Sequence, residues 1–60
     1  MFMVVEVDGI IRTQICVDNK PDKYGKAKLF TSWKQAYQWI RKRSYKGMSY
    51  KYEIVEVKEK

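Results

Sequence analysis

The sequence predicts a small α+β domain with the element order β-β-(β)-α-β, a three- or four-stranded sheet with one helix packed on one face. Three observations predict it. Two β-prone runs flank Asp8 and Gly9, a helical spacing of apolar residues begins at Trp33, and a last β-prone run lies near the C-terminus.

Residues 2–7 carry Val4, Val5 and Val7, and residues 10–17 carry Ile10, Ile11, Ile15 and Val17. Asp-Gly between two such runs predicts a hairpin, because a type I′ turn needs positive φ at both central residues. Residues 18–25 hold Asp18, Asn19, Pro21, Asp22 and Gly25, all turn formers, and read as a loop. Residues 26–30 are an optional short strand leading into the helix.

The helix follows a Thr31-Ser32 cap, whose hydroxyls can accept from free first-turn amides. With Ser32 as the cap, Gln35 stands at the third helical position and completes a capping box, and Phe30 with Tyr37 forms a rough hydrophobic staple. Trp33, Ala36, Tyr37 and Ile40 recur at i, i+3, i+4 and i+7, and are read as core, with Trp39 at the stripe's edge. Lys34, Gln35, Gln38, Arg41 and Lys42 take the opposite face. Arg41, Lys42 and Arg43 fall in the last turns, where cations suit the helix dipole, and Gly47 is a natural stop. Residues 50–57 read as the final strand. Its Glu-Ile-Val-Glu-Val echoes the Met-Val-Val-Glu-Val of residues 3–7, as expected of two neighbouring strands with like patterning.

Each strand carries an adjacent apolar pair: Val4-Val5, Ile10-Ile11 and Ile54-Val55. Neighbouring strand residues point to opposite faces, so both sheet faces are expected to be apolar. One helix covers one of them. The second face is therefore expected to bury against another copy or a different protein, with Val4, Val5, Ile10, Ile11, Ile54 and Val55 as candidate interface residues. Bulges and strand ends are the plainer explanation of the doublets.

Sixty residues make one domain near the lower size limit for folding alone, since a chain of this length buries only about 60% of its unfolded surface. Small folds usually add a staple. One cysteine rules out an internal disulfide, and the absence of histidine argues against a zinc site, which leaves oligomerisation, with a homodimer expected. A lone Cys16 without a signal-like N-terminus fits a soluble protein of a reducing cytosol, and no apolar run can span a bilayer.

Catalytic chemistry is sparse. Without histidine there is no imidazole base and no Ser-His or Cys-His pair. Cys16, between Ile15 and Val17, reads as a buried small hydrophobe. Asp18, Asn19 and Asp22 lack calcium-loop spacing and read as turn residues. Glu6 with Glu53 or Glu56 stands as the one prospective carboxylate pair, more simply read as solvated strand charges. No enzyme, cofactor, metal, small-molecule substrate or membrane partner is expected.

Charge is the feature left over. From residue 23 to residue 52 there are nine Lys or Arg and no acid, and eight of the nine aromatics. That block points to an anionic partner. Single-stranded nucleic acid is bound by such mixtures, cations on phosphates and aromatics under bases. The candidate contacts are Lys34, Arg41, Lys42, Arg43, Tyr45, Lys46, Tyr50 and Lys51, with Trp39 as a further stacking residue. No established nucleic-acid motif accompanies them. The leading expectation is a non-enzymatic protein-interaction or self-associating module, and nucleic-acid binding through residues 39–52 is the alternative.

Overall fold

The computed structural model describes residues 1–43 and 51–58. It contains β1 (Phe2–Asp8), β2 (Ile11–Gln14), α1 (Trp33–Arg43) and β3 (Tyr52–Glu56). The sheet is antiparallel throughout, in the order β2-β1-β3, and α1 packs on one face of it. This is a small α+β fold.

The hairpin joins β1 to β2 with Asp8 opposite Ile11, so its two central residues are Gly9 and Ile10 rather than Asp8 and Gly9. Only Gly9 has positive φ, at 63°. Glycine at the first central position alone is the type II′ pattern, which twists like the flanking strands and tolerates any residue second. The turn leaves Ile10 94% exposed.

β2 is shorter than the expected 10–17 run. Past Gln14 the chain peels away from β1 and exchanges single bridges with the following loop, Ile15 with Pro21 and Cys16 with Ala27. Residues 26–30 are likewise not a strand. They reach the sheet only at single points: Lys28 N–H donates to Ile15 O at 2.9 Å, and Phe30 and Phe2 bond reciprocally at 2.7 and 2.8 Å. The loop therefore caps the β2 edge by scattered bonds instead of a ladder.

Register settles which half of each doublet faces the helix. Val4 pairs with Ile54, and Val5 with Glu53 and Gln14. Val4, fully buried, forms the core with Ile15, Ala36 and Ile40, and Phe2, Phe30, Trp39, Tyr52 and Ile54 close around it. Val5 is on the opposite face yet only 5% exposed. Part of that far face is covered by the chain itself. Gln14 Nε2 donates to the Gly25 carbonyl, and Cys16 Sγ donates to Asp22 O at 3.1 Å, folding the loop under the β2 edge. Gly25 is required there, because a Cβ would stand 2.6 Å from Cys16 Sγ.

Asn19 ties the same loop to the helix. Its φ of 66° is left-handed, a conformation asparagine tolerates better than most side chains. Its Oδ1 accepts from Lys28 Nζ at 2.6 Å and from Trp39 Nε1 at 3.1 Å, and its carbonyl accepts from Arg43 Nη2 at 2.8 Å. A chain with one cysteine and no histidine thus uses an asparagine-centred hydrogen-bond cluster where other small folds use a disulfide or metal.

The helix N-terminus is capped nearly as expected. Ser32 Oγ accepts from Gln35 N–H at 3.2 Å. The return bond runs to Thr31 instead of Ser32: Gln35 Oε1 accepts from Thr31 N–H and Oγ1. The expected staple between Phe30 and Tyr37 is replaced by other pairings. Phe30 meets Trp39 edge-on at 6.5 Å, and Tyr37 stacks on Trp33 at 5.1 Å.

Candidate functional site

The helix sits on the sheet through Ala36 and Ile40, both buried, with Trp39 half-buried beside them. The expected stripe is thus rotated toward Trp39. Trp33 and Tyr37, read from spacing as core, are 52% and 41% exposed. The reason is width. Three strands at about 4.8 Å spacing are scarcely broader than one helix of about 10 Å diameter. A helix centred on Ala36 leaves its Trp33–Tyr37 side overhanging β3.

Between that overhang and β3 runs a groove of about 360 Å³, lined by Trp33, Tyr37, Ile40, Tyr52, Glu53 and Ile54. Lys34 and Arg41 lie three residues before and four after Tyr37, on the same side of the helix, and both are exposed. Lys51 and Lys58, also exposed, flank β3 in sequence. The one ion pair among the described residues is Arg12 with Glu53, at 2.8 Å across the far face. Neither Lys34 nor Arg41 forms an ion pair in that set.

The other cations and aromatics proposed from sequence are dispersed. Lys42 is exposed on the opposite flank of the helix, beside a shallow depression with Lys28, Phe30, Gln35, Gln38 and Trp39. Arg43 is committed to Asn19 and lies over the Trp39 ring at 5.4 Å. Trp39 packs edge-on to Tyr52 at 5.6 Å and spends its indole N–H on Asn19, so its ring is not free to stack on a base. Tyr45, Lys46 and Tyr50 lie outside the described residues.

The candidate interface residues separate likewise. Val4 and Ile54 pack under the helix, Val5 is buried on the far face, and Val55 is 37% exposed there. Ile10 and Ile11 are exposed at the hairpin tip. Glu6 and Glu53 point to opposite faces, and Glu56 pairs with Phe2, four residues from Glu6 along β1, so no carboxylate pair forms. Among the described residues no group of three or more His, Cys, Asp or Glu could hold a metal ion, and no helix is long and apolar enough to cross a membrane.

Sequence reasoning missed Trp33, Tyr37 and Asn19. Five large or apolar residues on an eleven-residue helix are more than a three-stranded sheet can cover, and that excess was the available signal. No family model, no curated protein and no solved structure matches this chain.

Proposed function

We propose that this domain is a non-enzymatic protein-interaction module whose docking surface is the groove between α1 and β3. The observation that carries the reading is the exposed, stacked Trp33–Tyr37 pair beside that groove, with Ile40 and Ile54 at its floor. Trp, Tyr and Arg are the residues that dominate binding energy at interfaces, clustered around a pocket that a partner's side chain can fill. Arg41 stands one turn beyond Tyr37, at the rim, where a charge steers encounter without being buried.

The test is selection of binders from a random peptide display library, followed by mapping of the selected peptides by amide chemical shifts. Binders that perturb Trp33, Tyr37 and Ile54 and lose at least tenfold in affinity with a Trp33→Ser, Tyr37→Ser variant support the reading. Both side chains are about half exposed, so that variant is expected to fold. No selectable binder, or binders that ignore these positions, overturns it.

A second reading, nucleic-acid binding, is supported by the exposed Lys34, Arg41 and Lys42 on the solvent side of a helix that has no acid. It predicts oligonucleotide affinity that falls about one log unit per phosphate contact for each tenfold rise in salt.

A further inference from the structure

We infer that the partner docks as an extended acidic segment, added to β3 as a fourth strand with an apolar side chain set into the groove; this rests on the docking surface proposed above and names its ligand.

The backbone directions follow from the hydrogen bonds. Met1 and Val57 exchange reciprocal bonds, Val57 N–H to Met1 O at 2.7 Å and Met1 N to Val57 O at 3.3 Å. In an antiparallel ladder bonded pairs alternate with non-bonded ones, so the next bonded pairs are Met3 with Val55 and Val5 with Glu53. Phe2 and Val4 then turn their backbone groups to the other side. Phe2 exchanges bonds with Phe30 there, and Val4 O accepts from Ile15 N–H at 2.8 Å. Their partners Glu56 and Ile54, and Tyr52 opposite Glu6, must therefore direct N–H and C=O outward from the sheet. Among the described residues no hydrogen bond reaches these six groups. An edge whose alternating donors and acceptors meet no partner among the described residues is of the kind an extended peptide completes.

The same three residues put their side chains on the helix face, where Tyr52 and Ile54 help line the groove. A strand laid along β3 would direct every second side chain under the Trp33–Tyr37 overhang. Backbone bonds and an apolar anchor would thus act together, over a partner segment about as long as β3, which has five residues.

Charge selects the chemistry of that segment. Lys34 and Arg41 stand on the Tyr37 side of the helix, Lys51 and Lys58 flank the strand, Glu53 is already paired with Arg12, Glu56 at the far end of β3 is the one acid of the strand outside that ion pair, and the whole chain carries a net +6. Acidic residues beside the anchor complement this rim. A second copy does not. Antiparallel pairing of β3 with its own copy about a two-fold axis would place both helices on one face and bring the two Lys34–Arg41 rows together. A nucleic-acid strand fits the cations but not the edge, since phosphodiesters offer acceptors only and would set oxygen against the outward carbonyls of β3.

The experiment uses the peptides selected above, resynthesised with alternate backbone amides N-methylated in each of the two phases, and a Glu56→Pro variant of the protein. The N–H of Glu56 points outward, so proline there removes an edge donor without breaking the ladder to β1. Selected peptides should be rich in Asp and Glu around one large apolar residue. N-methylation in one phase should weaken binding roughly five- to tenfold per lost bond, and in the other phase little. Glu56→Pro should weaken binding about five- to tenfold, as one lost bond does, with an unchanged circular dichroism spectrum, and Lys34→Glu with Arg41→Glu should cost at least tenfold at low salt. Groove-directed peptides that are neutral or basic, or that tolerate methylation in both phases, overturn the proposal while leaving the docking surface standing. Competition by an oligonucleotide at equal affinity, or a solution mass of two chains that Glu56→Pro halves, also overturns it. Should Glu56→Pro fail to fold, the methylated peptides on the unaltered protein decide.

Discussion

Asn19 is the residue whose replacement best tests how this small chain holds together. Its side chain accepts from Trp39 and Lys28 while its backbone sits at φ 66°. Three substitutions separate the two contributions. Asn19→Asp keeps both the acceptor and the tolerance of left-handed backbone, and is expected to be near neutral. Asn19→Gly keeps the backbone and loses the acceptor. Losing the bond to the half-buried Trp39 indole costs about 1 kcal/mol, and the bond to Lys28, which water can replace, about 0.5–1 kcal/mol. Asn19→Ala loses both, and left-handed backbone adds about 1 kcal/mol more. The expected order is Asp, then Gly at roughly 1.5–2 kcal/mol, then Ala at roughly 2.5–3 kcal/mol. A 60-residue domain has only about 3–9 kcal/mol in all, so Asn19→Ala should lower Tm by about 10–20 °C. Urea unfolding followed by tryptophan fluorescence reads this, as a shifted midpoint with unchanged slope. Alanine as mild as glycine would show that backbone strain contributes nothing, and aspartate as damaging as alanine would refute the acceptor role.

Gly25→Ala should destabilise by about 1–3 kcal/mol through overpacking, and less in a Cys16→Ala background, because the Sγ it meets at 2.6 Å is then gone; thermal denaturation of the four chains reads the coupling. Arg12→Ala should cost under about 1 kcal/mol and lose its effect in high salt, since both partners of its ion pair are about half exposed. Ile40→Ala, at 4% exposure, should cost about 2–5 kcal/mol, whereas Tyr37→Ala should cost far less, a contrast that denaturant midpoints settle. Ser32→Ala should cost about 0.5–2 kcal/mol by removing the acceptor for Gln35 N–H, read by the same denaturation.

The local signals in the chain were legible where one physical rule acts alone. β-branched runs placed β1 and β3, the Ser32 hydroxyl placed the start of α1, and like patterning in residues 3–7 and 53–57 marked strands that do pair. Where two rules compete, pattern reading fell short. Composition puts Asp8-Gly9 at the turn centre because both residues tolerate positive φ, but Gly9 alone takes it and Asp8 stays in the ladder opposite Ile11. Residues 15–17 and 26–30 have strand composition, yet the tight loop between them closes onto single bridges before a ladder can form.

The candidate site was illegible for a related reason: it depends on how many strands the helix must cover. Spacing alone assigns Trp33, Ala36, Tyr37 and Ile40 to one stripe. The small Ala36 lets the helix axis approach β1 closely, and Trp39 is drawn inward by the acceptor that Asn19 offers its indole. Once Trp39 occupies one flank, the sheet has no width left for Trp33 and Tyr37 on the other. They overhang β3, the strand whose outer backbone groups meet no partner among the described residues. Exposed aromatic side chains and an open strand edge therefore share one origin, the geometry of a single helix on three strands. If that origin is right, Asn19→Gly and Asn19→Ala should both loosen Trp39 and thereby alter the groove, and groove-binding affinity should fall alike in these two variants and be kept by Asn19→Asp, whatever their order in stability.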